Sequence, residues 1–487
     1  MRARALMVLG TASHVGKSRL VTALCRLLRD AGLAVAPFKA QNMALNAYVT
    51  REGGEMGYAQ AVQAWAAGLE PTVDMNPVLL KPTGDRRSQL ILRGRPAGFY
   101  ESSDFVADTP RRRAAWAAIT EAYDRLAARY EVIVLEGAGS PVELNLMAHD
   151  LANGAIARHA GAALLLAADI DRGGVFASVV GTVQLLPPDL RRRLAGVILN
   201  KFRGDPGLFD EGRRLLERQA ATPVLGVVPY WAGHLPEEDG VALEGLRSRP
   251  RSGTLRLGVV RWPHVANFTD FDPFFWEPGV TVEFLGPPPW PADLAALILP
   301  GTKNTPDDLA WAWETGTASA VRRWAVAGRP VVGICGGLQM LGQAVADPGH
   351  TESARWETVP GLDLLPLSTV LTPTKTTVRA RGICRLPGLE GLSVAGYELH
   401  AGQSRLEGPP AFVLDDPARP DGTWRAQVWG TYLHGCFDAP AFRRAWLRRL
   451  GWRPDGPAAT VEEAIREWAE VVRRHVAFDR ILELVAS

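Results

Sequence analysis

Residues 5–18 read ALMVLGTASHVGKS: an apolar run closed by Gly10, a polar loop, and then Gly16-Lys17-Ser18. The apolar run predicts a buried β-strand. Behind the loop, Ser18–Asp30 predicts a helix, with Leu20, Leu24, Leu27 and Leu28 recurring on one side. Strand, loop and helix in that order curl backbone N–H groups around a phosphate at a helix N-terminus. Lys17 would then meet the β- and γ-phosphates, and the Ser18 hydroxyl would meet Mg²⁺. Gly10 stands one position away from the usual GxxxxGK spacing. A bare match to Gly-Lys-Ser would often be accidental, and the flanking strand and helix argue against accident here. The expected ATP-binding set is Gly10, Thr11, Gly16, Lys17 and Ser18.

The same alternation continues outward. LAVAPF (33–38), VIVLEG (132–137), ALLLAAD (163–169), AGVILNKF (195–202) and VLGVVP (224–229) are short apolar runs, each flanked by a plausible helix. Continuous rather than alternating apolar strands predict a parallel sheet covered on both faces, an α/β fold. RSRPRSG (247–253) is a polar break containing Pro and Gly. The pattern then restarts with LRLGVVRW (255–262), VTVEFLG (280–286), AALILPG (295–301), PVVGICGG (330–337) and VWGTYLHG (428–435). The expected domains are 1–247 and 255–487, joined by a linker at 248–254. Residues from about Val461 to Val485 read as helical.

Composition narrows the function classes. Lys plus Arg number 54 and Asp plus Glu 52, a net charge of +2 that argues against a dominant nucleic-acid-binding face. With 47% hydrophobic and 22% charged residues the chain reads as globular. Its four cysteines are too few for a disulfide scaffold and none are spaced as CxxC, so neither a disulfide framework nor a structural zinc is expected. No stretch approaches the roughly 18 apolar residues of a membrane span, and the expected compartment is the cytoplasm. Only six residues are Lys: 17, 39, 81, 201, 303 and 375. Arg replaces Lys readily on a solvated surface but poorly where a compact ammonium must fit against phosphate, which singles these six out.

Glu136 ends the strand in VIVLEGAGS (132–140), where a metal ligand would stand beside a glycine turn; the expected metal ligands are Ser18 and Glu136. The shifted GTxxxxGKS loop, with this carboxylate, resembles dethiobiotin synthetase and its relatives, which use ATP to activate a carboxylate as an acyl phosphate. That resemblance implies that Asn200, in VILNKFRGD, reads the adenine edge, for which an amide has both donor and acceptor. Asp169 and Asp171 end another strand and stand either near metal or substrate or at the start of a helix.

Gly333-Ile334-Cys335-Gly336-Gly337 lies between a predicted strand and a predicted helix. Such an elbow turns the side chain outward at a helix N-terminus, which favours the thiolate. The backbone N–H of Gly336, and that of Gly301 in ILPGTKNT (298–305), are the expected oxyanion donors. His434 follows a late strand and is the expected base, with His400 in GYELH as the fallback. Elbow, Pro-Gly loop and late His together resemble a class I glutamine amidotransferase domain, in which cysteine attacks the glutamine amide and ammonia leaves. That family continues His-x-Glu, whereas this chain has His434-Gly435-Cys436. Glu398 or Asp438 stand as replacements for the orienting acid.

Both halves contain longer blocks: PFKAQNMALNAYVT (37–50), EMGYAQAVQA (55–64), MNPVLLKP (75–82), EGAGSPVELNL (136–146), NKFRGD (200–205), LPEEDG (235–240), NFTDFD (267–272), LPGTKNT (299–305), GICGGLQMLG (333–342) and GYELH (396–400). On these the whole chain resembles the cobyric acid synthase family. The resemblance implies amidation of the b, d, e and g carboxylates of adenosylcobyrinic acid a,c-diamide, with ATP and Mg²⁺ as cofactors and glutamine as nitrogen donor. Lys39 and Lys81 become candidates for meeting the corrinoid carboxylates. Neither nucleic acid nor membrane is expected as a partner, and a homo-oligomer is compatible with the reading. The alternatives are the sister cobyrinic acid a,c-diamide synthase, a partitioning-type P-loop ATPase, and a catalytically dead corrinoid-binding module.

Overall fold

The opening apolar run folds as the strand Arg4–Gly10, buried at every position after the first, and the helix behind it spans Lys17–Asp30. The computed structural model describes residues 3–84, 87–101, 104, 107–236, 255–415, 418–453 and 456–486. The chain divides into two compact units. One comprises Met1–Ala44, Gly54–Leu235 and Val461–Ser487, and the other Leu45–Gly53 and Pro236–Thr460.

The first unit is built on a six-stranded sheet. Its order is Val224–Pro229, Leu194–Phe202, Ala163–Asp169, Arg4–Gly10, Val132–Glu136 and Val35–Phe38, with every neighbouring pair parallel. Four of the six strands lie within the runs read from sequence, and Arg4–Gly10 and Leu194–Phe202 begin one residue ahead of theirs. Arg4–Gly10 sits where the winding reverses: the chain builds Val35–Phe38 and Val132–Glu136 on one side of it and Ala163–Asp169 on the other. Loops at the carboxyl ends of such central strands form the ligand crevice of open α/β sheets. The fully buried Leu20, Leu24 and Leu28 fix the following helix to the sheet, each worth about 1.5–3 kcal/mol in removal from water. A smaller four-stranded sheet (Gln41–Met43, Val78–Gly84, Arg87–Leu92, Arg95–Glu101) is inserted before the strand that ends at Glu136.

The second unit repeats the logic. Val280–Leu285, Leu255–Val260, Ala296–Leu299, Val331–Ile334 and Val428–Thr431 pair in parallel in that order, and Thr423–Arg425 closes the edge antiparallel. A second sheet carries the long antiparallel pair Leu367–Cys384 and Ser393–Leu406. Phe274, Phe437, Phe442 and Trp446 form an aromatic knot in the core.

The observed units depart from the expected domains in where the first ends, at Leu235 rather than 247, and at two further places. Leu45–Gly53, expected in the first domain, clusters with the second unit, and Val461–Ser487, expected in the second, clusters with the first. The terminal segment forms two helices, Val461–His475 and Phe478–Ala486. The first buries Ala464, Ile465, Trp468, Ala469 and Val472. The Trp468 indole donates to the Arg19 carbonyl at 2.6 Å, and its ring lies 5.2 Å from that of Trp231. An amphipathic stripe states that a helix needs a partner, not which one. The expected linker, 248–254, lies outside the described residues.

Candidate active site

Each unit carries its own site at the carboxyl ends of its central strands. In the first, Gly16 caps the helix Lys17–Asp30 with φ 97°, a left-handed conformation that glycine takes without strain, and no side chain caps the helix start. The Lys17 ammonium donates to the carbonyls of Ala12 and Gly139, both at 3.0 Å, which folds it across the loop. A Cβ on Gly10 would stand 2.9 Å from that ammonium, so the loop closes this tightly only with glycine there. The Thr11 amide donates to the carbonyl of Ala167 at 2.9 Å, tying the loop to the neighbouring strand.

The Ser18 hydroxyl donates to Glu136 Oε1 at 2.8 Å, joining the two expected metal ligands. Lys39 Nζ donates to the same oxygen at 2.9 Å, and Gln63 Nε2 donates to Glu136 Oε2 at 2.6 Å. Among the described residues no group of three or more His, Cys, Asp or Glu is placed to hold a metal. A hydroxyl and one carboxylate, both hard oxygen donors, suit Mg²⁺, which keeps waters and takes its remaining ligands from substrate phosphates.

Asn200 lies beside the phosphate loop. Its Nδ2 donates to the Val15 carbonyl at 2.9 Å, its Oδ1 accepts from the Lys201 amide at 2.9 Å, and a Cβ on Gly16 would overlap the amide. The Nδ2 end of the side chain braces the phosphate loop, and the Oδ1 end is held within its own strand. Asp169 pairs with Lys201 at 2.8 Å and Asp171 with Arg203 at 2.8 Å, so each is engaged by a cation of the same strand end. Lys39 and Lys81 are buried in ion pairs with Glu136 (2.9 Å) and Glu55 (3.1 Å). Both ammonium groups meet carboxylates of the protein.

In the second unit Val331–Ile334 delivers Cys335 at φ 53° and ψ −109°, outside the conformations that side chains favour. The strain is held from both sides: the Cys335 amide donates to Thr431 at 2.8 Å, and its carbonyl accepts from Gln339 in the following helix at 3.1 Å. Gly301 and Gly336 flank Cys335. A Cβ on Gly301 would lie 3.2 Å from His434 Cε1 and 3.8 Å from Cys335 Cβ. On Gly336 it would press on Thr302, with the Thr302 amide at 3.1 Å.

His434 is fully buried, and its Nδ1 lies 2.8 Å from Asp270 Oδ2, while Asp270 Oδ1 accepts from the Gly435 amide at 2.8 Å. Burial by itself lowers the affinity of this imidazole for a proton. The charges of Asp270 and Cys335, with the side-chain hydrogen bonds to both, outweigh that and push its pKa up to about 10. The carboxylate that meets His434 is thus Asp270, neither of the expected candidates Glu398 and Asp438. Glu398 is committed to Arg419, at 3.1 Å. Asp438 is pushed up to about 7 by burial and by Asp270 and Asp272, which disfavours the charge an orienting carboxylate needs. His400 turns Nδ1 to the Gly402 carbonyl at 2.8 Å and stacks on Tyr432. Asp270 belongs to NFTDFD, a block quoted above for its resemblance. A search for the triad acid confined to residues near His434 in sequence could not find it, because it arrives from another loop.

Comparison with known proteins follows the same division. The CobQ/CobB/MinD/ParA nucleotide binding domain family matches residues 6–235, and the CobB/CobQ-like glutamine amidotransferase domain family matches residues 256–442. A cobyric acid synthase of Roseiflexus castenholzii is 47% identical over 93% of this chain and 93% of its own length. The cobyric acid synthase of Chloroflexus aurantiacus is 47% identical over 100% of this chain and 97% of its own. A solved glutamine amidotransferase covers 40% of this chain and 99% of its own at 18% identity, with a TM-score of 0.29, and adds nothing to the assignment. With identity near one half sustained through both units, the chain belongs to the cobyric acid synthase family.

Proposed function

We propose that the protein amidates the b, d, e and g carboxylates of adenosylcobyrinic acid a,c-diamide, giving adenosylcobyric acid in cobalamin biosynthesis, with glutamine as nitrogen donor and ATP as activator. The observation that carries the reading is one chain holding both a Cys335–His434–Asp270 constellation and a Lys17–Ser18–Glu136 cluster. In the second unit, the Cys335 thiolate attacks the glutamine side-chain amide carbon. The backbone N–H groups of Gly301 and Gly336 receive the oxyanion, and His434 hands the proton to departing ammonia. Water then releases glutamate from the thioester. In the first unit the carboxylate oxygen attacks the γ-phosphorus of ATP, giving an acyl phosphate and ADP. Ammonia adds at the acyl carbon and inorganic phosphate leaves.

Lys17 and the loop from Gly10 through Thr11 to Gly16 bind and orient the phosphates, and Asn200 supports that loop. Mg²⁺, held by Ser18 and Glu136, would neutralise charge developing between the β- and γ-phosphates. Each amidation consumes one glutamine and one ATP. We assign the reaction to the cytoplasm, in keeping with four free, buried cysteines.

Mass spectrometry of the corrinoid product after incubation with glutamine and MgATP tests the reading. Four successive amidations of the a,c-diamide are expected. Amidation of unmodified cobyrinic acid at a and c instead would move the protein to the sister activity, and ATP turnover without any amidation would end the proposal.

A further inference from the structure

The segment Leu45–Gly53 interrupts the first unit in sequence and clusters with the second. Asn46, fully buried, accepts the Phe268 amide on its Oδ1 at 3.0 Å, and the Ala47 amide donates to Asn267 Oδ1 at 3.0 Å. Asn267 and Phe268 begin the turn that carries Asp270, and Asn267 is held at φ 54°. Fixing Asn267 Oδ1 on Ala47 decides which end of that amide meets the base: Nδ2 stands 3.3 Å from His434 Nε2. Two residues along, the Tyr48 ring packs edge-on against Tyr397 at 5.6 Å, and Tyr397 stacks on the His434 imidazole at 5.3 Å and 20°. Backbone bonds between Tyr397 and His434, at 3.0 and 2.9 Å, close the arrangement.

Around the His434 ring, then, Asp270 holds Nδ1, Asn267 addresses Nε2, Tyr397 covers a face, and Cys335 is the proton's source. Two of these neighbours, Asn267 and Tyr397, are themselves held by Leu45–Gly53, and so is the turn bearing the third, Asp270. We infer that Asn46 and Tyr48 are positioning residues for the glutaminase base. A stretch read from sequence as part of the ATP-dependent half would thereby set the geometry of ammonia release. The inference rests on the assignment of Cys335 and His434 to glutamine hydrolysis. It has a direct geometric sense: with Oδ1 taken by the Ala47 amide, Nδ2 is the end of Asn267 that faces Nε2, whereas a flipped amide would present its oxygen.

The test compares full-length Asn46→Ala, Tyr48→Leu and Tyr48→Phe with the parent, each checked for a cooperative thermal transition. Glutamine hydrolysis in the presence of MgATP and corrinoid is resolved into kcat and KM, alongside synthesis driven by ammonium salt. Misplacement of a base by a fraction of an ångström is expected to lower kcat about 10-fold or more in Asn46→Ala and Tyr48→Leu. Their KM for glutamine should stay within about twofold, their ammonia-driven synthesis should persist, and Tyr48→Phe, which keeps the ring, should restore the rate. Parental kcat in both Asn46→Ala and Tyr48→Leu would overturn the inference. Equal losses of glutamine- and ammonia-driven synthesis would also overturn it, by reducing the segment to a structural element. A parental glutaminase rate in Cys335→Ala would instead overturn the underlying assignment, so the two failures are separable.

Discussion

Cys335 occupies its strained turn because two backbone hydrogen bonds hold it there, and its buried thiol lies beside His434, whose Nδ1 meets Asp270. Cys335→Ala should abolish synthesis from glutamine and spare synthesis from added ammonium salt, measured as amidated corrinoid with each nitrogen source. Parallel loss of both in a folded variant would refute the division of labour. Asp270→Asn keeps the shape of the triad and removes its charge. Glutamine hydrolysis should fall about 10²–10⁴-fold, the range for losing general-base assistance or its orienting acid. The same variant has a stability signature. The pKa of His434 rises on folding from 6.5 to about 10. A group raised on folding contributes stability fully below its unfolded pKa and loses it as pH climbs through the folded one. Thermal melts of the parent should therefore decline between about pH 6.5 and 10 on this account, and Asp270→Asn should lack that share of the slope. Identical pH slopes would show that Asp270 does not hold the imidazolium. Cys335, His434 and Glu136 were legible as residue types at or just past strand ends, and Lys17 as the start of the helix behind the phosphate loop. Asp270 was not, since a carboxylate in a loop is marked only by what it touches.

The elements that matter are turns at the ends of parallel strands, and their glycines are where side chains cannot be afforded. At the Pro300–Gly301 turn an added methyl would enter the space between His434 and Cys335 and press on the Ala266 carbonyl at 3.1 Å. Gly301→Ala is expected to cost about 10²-fold in glutaminase kcat by displacing the reacting pair, with ammonia-driven synthesis unchanged; a parental kcat would remove Gly301 from the site. At the phosphate loop, Lys17→Ala should eliminate synthesis from either nitrogen source. Glu136→Ala should do likewise, with partial recovery as Mg²⁺ is raised, and full activity at low Mg²⁺ would demote Glu136 to a structural partner of Ser18. The parallel strands were readable because burial on both faces makes them continuously apolar. The hairpin Leu367–Cys384 with Ser393–Leu406 escaped the reading. Its burial alternates only near its ends, and its middle, from Thr372 to Arg379, is largely polar.

Across the whole molecule, the unexpected memberships are themselves testable. Trp468 lies on the helix Lys17–Asp30 although it comes from the far end of the chain. Trp468→Ala should destabilise the first unit by about 3–5 kcal/mol, as large-to-small changes of buried aromatics do. Amide exchange should accelerate in Lys17–Asp30 and Val224–Pro229 while Ala296–Leu299 and Val331–Ile334 keep their protection; faster exchange confined to the latter strands would contradict the assignment. The sequence by itself determined the two α/β sheets, the phosphate loop, the nucleophile elbow and the family, because each is written in contiguous residues whose periodicity or spacing follows from local geometry. Only the tertiary structure decided that Asp270 meets His434, that Asn200 braces the loop, that Lys39 and Lys81 pair with protein carboxylates, and that Leu45–Gly53 and Val461–Ser487 exchange units. Each of these is a contact between segments distant in sequence, selected by burial and hydrogen-bond satisfaction in the folded chain, and no local pattern encodes which partner completes it.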